Sequence, residues 1–246
     1  MSRAGVLIKY NIEYYIRSAK YLPPVIVYLV FLAINYQVAP IGIWSNLHIT
    51  LLGIFILSSW IGVNFANSED KTQQTITKLH INNDYVYHLS KIISILTFLI
   101  PFYAITLLIP IVSGSFTRGL LFSEALIYIA VYVLVGLLGI MVGVLFNSNI
   151  FKEEVAVLLH LSVLAATAIP FGAIYADNQF VVIAHRLLPP VNFLAQRLQY
   201  LDSGTFAVDG NFWLFILNSA AYTAMLIALY VFLMRRKSGR HVILIP

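Results

Sequence analysis

Cysteine is missing from this sequence, and charge is scarce: only 10% of its 246 residues are Asp, Glu, Lys or Arg. Without cysteine there is no disulfide framework, no thiolate nucleophile and no cysteine-ligated metal. A soluble domain carries about 25% charged residues, so this chain has too little polar surface to wrap its 60% hydrophobic residues in water. Disorder is excluded for the converse reason, because it needs low hydrophobicity and high charge. Catalytic signatures are also lacking. None of the 13 glycines is followed by Lys, so the G-x-x-x-x-G-K-[ST] loop that cradles ATP phosphates cannot form. H-E-x-x-H is absent, and His48, His80, His88, His160, His185 and His241 include no pair at the spacing of a helical metal site. Ser113-Gly114-Ser115 falls at an outer turn, far from His160, so an intramembrane serine protease is not assembled from it.

What is present is apolar sequence, with a mean hydropathy of +0.87. A helix needs about 20 mostly apolar residues to cross a bilayer core. Six stretches approach this: Leu22–Val38, Leu47–Phe65, Ile92–Val112, Leu120–Phe146, Val155–Tyr175 and Phe212–Met234. They are continuous rather than alternating, which argues against a barrel. The first lacks the small-residue pattern of a cleaved signal. Basic residues divide 12 to 3 between the two sides. One side takes the segment before the first span, the segment between the second and third, Lys152 and the tail with Arg235-Arg236-Lys237 and Arg240. The other takes Arg118, Arg186 and Arg197. By the positive-inside rule both termini are expected in the cytoplasm. Ionisable residues within spans reduce to Glu124, expected to reach water at the outer end of the fourth, and His160 in the fifth. Without a mid-depth carboxylate, coupling to an ion gradient is disfavoured, and energy for transport would enter from another chain.

The segments outside the spans carry their own patterns. In Arg3–Leu22, Lys9, Glu13, Arg17 and Lys20 recur every three or four residues. This predicts an amphipathic helix on the cytoplasmic leaflet, with a plain basic flank as the alternative. Pro23 and Pro24 suit a break before the first span. In Asn67–Lys91, Ser68-Glu69-Asp70 resembles a helix start. Gln73–Ile81 can form about two turns, and Asn82-Asn83-Asp84 breaks them, with Asp84 as a candidate cap of the third span. A short helix held across two span ends can receive a push; a solvated connector is the other reading. On the outer side, 176–211 mixes apolar residues with Arg186, Asn192, Gln196 and Arg197 around Pro189-Pro190. It reads as a re-entrant helical pair or a surface-lying amphipathic loop. Gly136, Gly139 and Gly143 space one face of the fourth span for close helix packing. The bundle otherwise shows no polar lining.

The order of these parts resembles the membrane subunits of type-2 ABC exporters, the fold shared with the G-subfamily of human ABC transporters. The resemblance covers essentially the whole chain. It rests on the interfacial helix, six spans, the loop with Glu69-Asp70-Lys71, Thr75, Leu79, Asn83-Asp84 and Lys91, and Leu188-Pro189-Pro190 in the outer hairpin. Gln73-Gln74 stand where Arg-Gly usually precedes the Thr. The resemblance implies an all-α membrane fold, N-in and C-in, and a non-catalytic permease of a bacterial cell membrane. It implies a homodimer, or a heterodimer with a related permease, set over two copies of an ABC ATPase. ATP and Mg would belong to that partner, with no cofactor or nucleic acid on this chain. Glu69, Asp70, Lys71, Gln73, Gln74, Thr75, Lys78, Leu79 and His80 would contact the ATPase, and Phe55, Ser59, His160 and Thr167 would line the substrate path. The small size and apolar bundle are similar to exporters of amphipathic peptides, including toxin, bacteriocin and phenol-soluble-modulin systems. A drug or lipid exporter subunit, a membrane-embedded enzyme and a non-transporting immunity or sensor protein are the alternatives.

Overall fold

A computed structural model describes residues 3–81, 83–147, 150–168, 188–191 and 210–241. Its elements are α1 (Arg3–Arg17), α2 (Leu22–Asn35), α3 (Ile43–Ala66), α4 (Lys71–Ile81), α5 (Asp84–Val112), α6 (Phe122–Leu145), α7 (Glu153–Ala168) and α8 (Gly210–His241). The protein is a helical membrane protein. Four of its helices, α3, α5, α6 and the Phe212–Met234 part of α8, are long and apolar enough to cross a bilayer, or up to five if α1 and α2 count as one bent span. The expected first span is represented by α2, whose 14 residues reach about 21 Å at 1.5 Å per residue. The expected fifth span is described as α7, and its continuation to Tyr175 lies outside the described residues. So does the proposed outer hairpin, apart from 188–191 and the start of α8.

The core is α3 laid on α6. Gly139 and Gly143 of α6 and Gly62 of α3 bring the two helices together, while Gly136 makes room for α5. A Cβ on Gly139 would stand 2.6 Å from the Phe55 carbonyl, and one on Gly62 would stand 2.9 Å from the Ile140 carbonyl. At Gly143 it would collide with the Ser59 carbonyl, and at Gly136 with the Tyr103 hydroxyl of α5. The glycine stripe expected on the fourth span is therefore internal packing, completed by Gly62. The other helices surround this pair, with α5 and α8 against α6, α2 against α3, and α1 against α5.

Helix α1 does more than lie on a surface. Lys9 and Glu13 pair across one exposed turn at 3.8 Å, while Leu7, Asn11 and Tyr15, spaced by four, are buried. Tyr15 wedges between Phe65 of α3 and Phe98 of α5, with ring centroids 4.6 and 5.3 Å away. The helix ends where the Ser18 hydroxyl turns back to the Tyr15 carbonyl at 2.7 Å and Ala19 takes a φ of 55°. The chain then bends by 81° into α2. Pro23 and Pro24 sit in the first turn of α2, where missing N–H groups cost nothing. They start that helix rather than stop the one before. Lys20 falls in the bend, not on the α1 face, and its ammonium donates to the Asn67 carbonyl at 3.1 Å, a cation on the negative end of α3.

Helix α5 begins at Asp84, eight residues before the apolar stretch, and passes through Pro101 and Pro110 without ending. Its cap is Asn83, whose side-chain oxygen accepts from the Tyr85 and Val86 N–H groups at 3.0 and 3.2 Å. Asp84 is thus the first helical residue and not the cap. At the opposite end of the bundle, Ile41 exchanges backbone hydrogen bonds with the loop between α5 and α6, donating to Ser115 at 2.8 Å and accepting from Thr117 at 3.1 Å.

The α3–α6 contact sets a first prediction. Gly143→Val should cost about 1–3 kcal/mol of stability, because a packed interior resists added methyl groups. Gly119→Ala meets nothing within 4 Å and should change stability by under about 0.5 kcal/mol. Thermal unfolding of the detergent-solubilised protein, followed by helical circular dichroism, compares the two.

Candidate functional site

Below the ends of α3 and α5, α4 is fixed by a buried polar cluster. Its centre is Glu69, in the turn that leaves α3. The carboxylate accepts from the Tyr87 hydroxyl at 2.5 Å, from the Lys91 ammonium at 3.3 Å and from the Thr77 hydroxyl at 3.4 Å. Side chains of Lys91 and Glu69 are 6% and 4% exposed, so this is a buried ion pair with added hydrogen bonds. The ring of Tyr87 also lies 5.3 Å from the Lys78 ammonium and 5.7 Å from that of Lys91, within cation–π range. From α4, Gln74 donates to the Glu69 carbonyl at 2.9 Å, and Gln73 donates to the Tyr10 hydroxyl of α1 at 3.0 Å. Next to Tyr87, Nδ1 of His88 meets the Tyr230 hydroxyl of α8 at 3.1 Å. One cluster therefore touches α1, α4, α5 and α8.

The loop residues singled out from sequence divide into two groups. Glu69 and Gln74 are buried and Gln73 and Lys78 half-buried; all four face the bundle. Asp70, Thr75, Leu79 and His80 are exposed on the other side, with Ile76 beside them. Lys71 opens α4. Glu69 thus differs from its expected place as a partner contact: its charge is consumed inside the chain. Tyr87, His88 and Thr77 were missed because they lie in a stretch read as a loop or as one more helix turn. Lys91 was counted as a loop cation but is an interior residue of α5. Burial pushes the Lys78 ammonium below the usual lysine range, and the carboxylates of Asp84 and Glu69 oppose that shift only in part.

Two of the four expected path residues come together. The Ser59 hydroxyl of α3 and Nε2 of His160 of α7 are 2.7 Å apart, both buried. Most helical hydroxyls here donate to their own helix four residues back, as Ser94, Thr106, Ser162 and Thr223 do at 2.7–2.8 Å. Ser59 bonds across to His160 instead. Phe55, one turn from Ser59, is fully buried with its carbonyl against Gly139. Thr167 is two turns from His160, and its hydroxyl donates to the Val163 and Leu164 carbonyls of its own helix. The bundle is also less uniformly apolar than its sequence reads. Tyr28 meets Thr106 at 2.6 Å, Thr50 meets Tyr132 at 2.8 Å, and Ser58 meets Tyr103 at 3.2 Å, all in buried seams between helices. Glu124 does not reach water. It is fully buried, held by the Arg118 guanidinium at 2.5 and 2.9 Å and by the Leu121 N–H at 2.9 Å.

A comparison with protein-family models, curated proteins and solved structures finds no match for the chain. The functional reading therefore rests on these residues and their geometry.

The Glu69–Lys91 pair makes a second prediction. Removing one partner strands the other charge, so Lys91→Met should cost about 3–5 kcal/mol. Adding Glu69→Gln to it should restore part of that loss, because the stranded carboxylate is gone. Thermal midpoints of the two single variants and the double variant measure the coupling.

Proposed function

We propose that this chain is the membrane subunit of an ATP-driven exporter of the type-2 ABC kind, with α4 as the helix that receives the ATPase. The observation that carries the reading is the two-sidedness of α4. One face is bound to α1, α5 and the α3 turn through Gln73, Gln74, Thr77 and Glu69. The other presents Ile76 and Leu79, 56% and 76% exposed, three residues apart, beside Thr75 and His80. Apolar side chains exposed on a polar helix outside the bilayer suit a protein contact better than water. A helix held this firmly moves with its neighbours instead of bending away.

In this reading two copies of the chain, or one copy and a related permease, sit above two ATPase subunits that carry ATP and Mg. Both termini and α4 face the cytoplasm of a bacterial cell. The cargo is amphipathic and of the peptide-toxin class, entering from the bilayer along the apolar bundle, with Phe55, Ser59, His160 and Thr167 along its path. The absence of a phosphate-binding loop in the sequence accords with an energy source on another chain.

Leu79→Asp and Ile76→Asp place a charge on the exposed face without touching the buried one. Each should leave the thermal midpoint within about 0.5 kcal/mol of the parent and weaken co-purification of the ATPase subunit at least tenfold. ATP-dependent peptide export from reconstituted vesicles should fall with it. Unchanged association and export by both variants would sink the assignment of α4.

A further inference from the structure

Helix α7 meets the bundle along one narrow stripe. Ala156, His160 and Thr167 are buried, and Val163 and Leu164 pack against the core beside them. These positions recur every three or four residues, on one helix face. The opposite face, with Val155, Val157, Leu158 and Leu161, is exposed. The stripe is fastened near its start by the turn from α6. There the Asn147 side chain donates to the Val144 carbonyl at 2.6 Å and accepts from the Ile150 N–H at 3.0 Å, and the Asn147 carbonyl accepts from the Phe151 N–H at 3.1 Å. The rings of Phe146 and Phe151 lie 6.0 Å apart across that turn. Further along α7, about 10 Å from Glu153 at 1.5 Å per residue, His160 bonds to Ser59 of α3 at 2.7 Å.

The two ends of that bond differ. Ser59 stands where α3 and α6 are closest: its carbonyl is the group that a side chain on Gly143 would strike, so α3 has no room to move toward α6. His160 stands on a helix whose Ser162 and Thr167 hydroxyls donate to carbonyls of α7 itself. Parting Ser59 from His160 separates no ion pair, whereas parting Glu69 from Lys91 does. We propose that the Ser59–His160 bond is a latch. It holds α7 closed on the α3–α6 core, and when it opens α7 swings about the α6–α7 turn and bares the stripe from Ala156 to Thr167. A fixed partner and a moving one, joined by a hydrogen bond of ordinary strength, make a gate that opens at small cost. Such an opening would serve as the side entry that a path through Ser59 and His160 needs, but the inference rests on the bundle alone and not on the transport reading.

The chain has no cysteine, so one introduced thiol reports on one place. Ala156→Cys puts it on the buried stripe, 3% exposed, one turn from His160 and next to the exposed Lys152, Glu153 and Glu154. The full-length variant in lipid nanodiscs is treated with a water-soluble maleimide, whose rate follows the open population when opening is fast. In the Ala156→Cys background, Ser59→Ala and His160→Phe should each raise that rate about fivefold, the scale of one net hydrogen bond in an opening equilibrium. The two changes together should raise it no further than either alone, because they remove the same bond. A thiol at Val135→Cys, buried in α6, should stay slow in every background, which separates an opened seam from a loosened protein. The proposal is overturned if either single variant leaves the rate within about twofold of its Ala156→Cys parent, if the two effects multiply, or if Val135→Cys speeds up alongside. It is also overturned if the parent thiol already reacts as fast as one at Lys152→Cys.

Discussion

At Gly139 and Gly143 the backbones of α3 and α6 lie so close that neither position has room for a methyl group. Much of the remaining structure follows from that approach. Inside a bilayer there is no water to expel between helices, so association depends on close contact and on hydrogen bonds across the seam. The glycines supply the first. They also bring α3 near enough for Thr50 to reach Tyr132 of α6, and Gly136 leaves room for the Tyr103 hydroxyl of α5, which meets Ser58. With α3 and α6 fixed, α5 and α8 fill the flanks of α6. The charged clusters then fall at the two ends of the bundle.

Those clusters obey one rule, which is that a carboxylate removed from water keeps a cation and further donors. Glu124 has Arg118 and the Leu121 N–H at one end; Glu69 has Lys91, Tyr87 and Thr77 at the other. Such pairs are weak evidence for net stability, since desolvation offsets much of the attraction. Their value lies in geometry. Glu124 accepts from the N–H of the residue before its helix, as the acid of a capping box does, and fixes where α6 begins. Glu69 binds one helix to the next across a tight turn. The two acids do similar work at opposite ends, though only Glu124 sits in the first turn of a helix.

Continuous apolar runs made α3, α6 and the apolar part of α8 legible in the sequence, and small residues at one spacing on α6 gave its packing face. Helix α4 was legible from a polar loop with a helical interior, although it starts at Lys71, two residues before Gln73. The start of α5 was legible to within one residue, from the Asn82-Asn83-Asp84 break, but the burial of its first turns was not. Tyr87, His88 and Lys91 are polar enough to read as loop, and only the tertiary partners Glu69 and Tyr230 make them tolerable in a buried helix. Pairings across long stretches were invisible for a related reason. Ser59 and His160 are 101 residues apart, and nothing local marks a serine that bonds to another helix instead of its own. The partners of Glu124 were hidden differently: Arg118 is close in sequence, but hydropathy treats a carboxylate at a span end as solvated. The exposed side of α4 followed once its buried side was known, since Ile76 and Leu79 are what the Glu69 cluster leaves outside.

The hydrogen bonds also define which parts can move together. Gln73 ties α4 to α1, Glu69 ties the α3 turn to α5, and His88 ties α5 to α8. A load on α4 therefore reaches α1 through a half-buried bond and α5 and α8 through buried ones. Helix α7 bonds to α3 through Ser59–His160, with the ring of Phe146 at 6.4 Å from the imidazole; most of the rest of α7 is exposed, including Val155, Val157, Leu158 and Leu161. A Ser–His bond can re-form after a small shift, because both groups donate and accept. A buried ion pair resists parting more strongly, since separation leaves two uncompensated charges. In a bundle built this way, displacement falls at the α3–α7 seam before it falls within the cluster around Glu69.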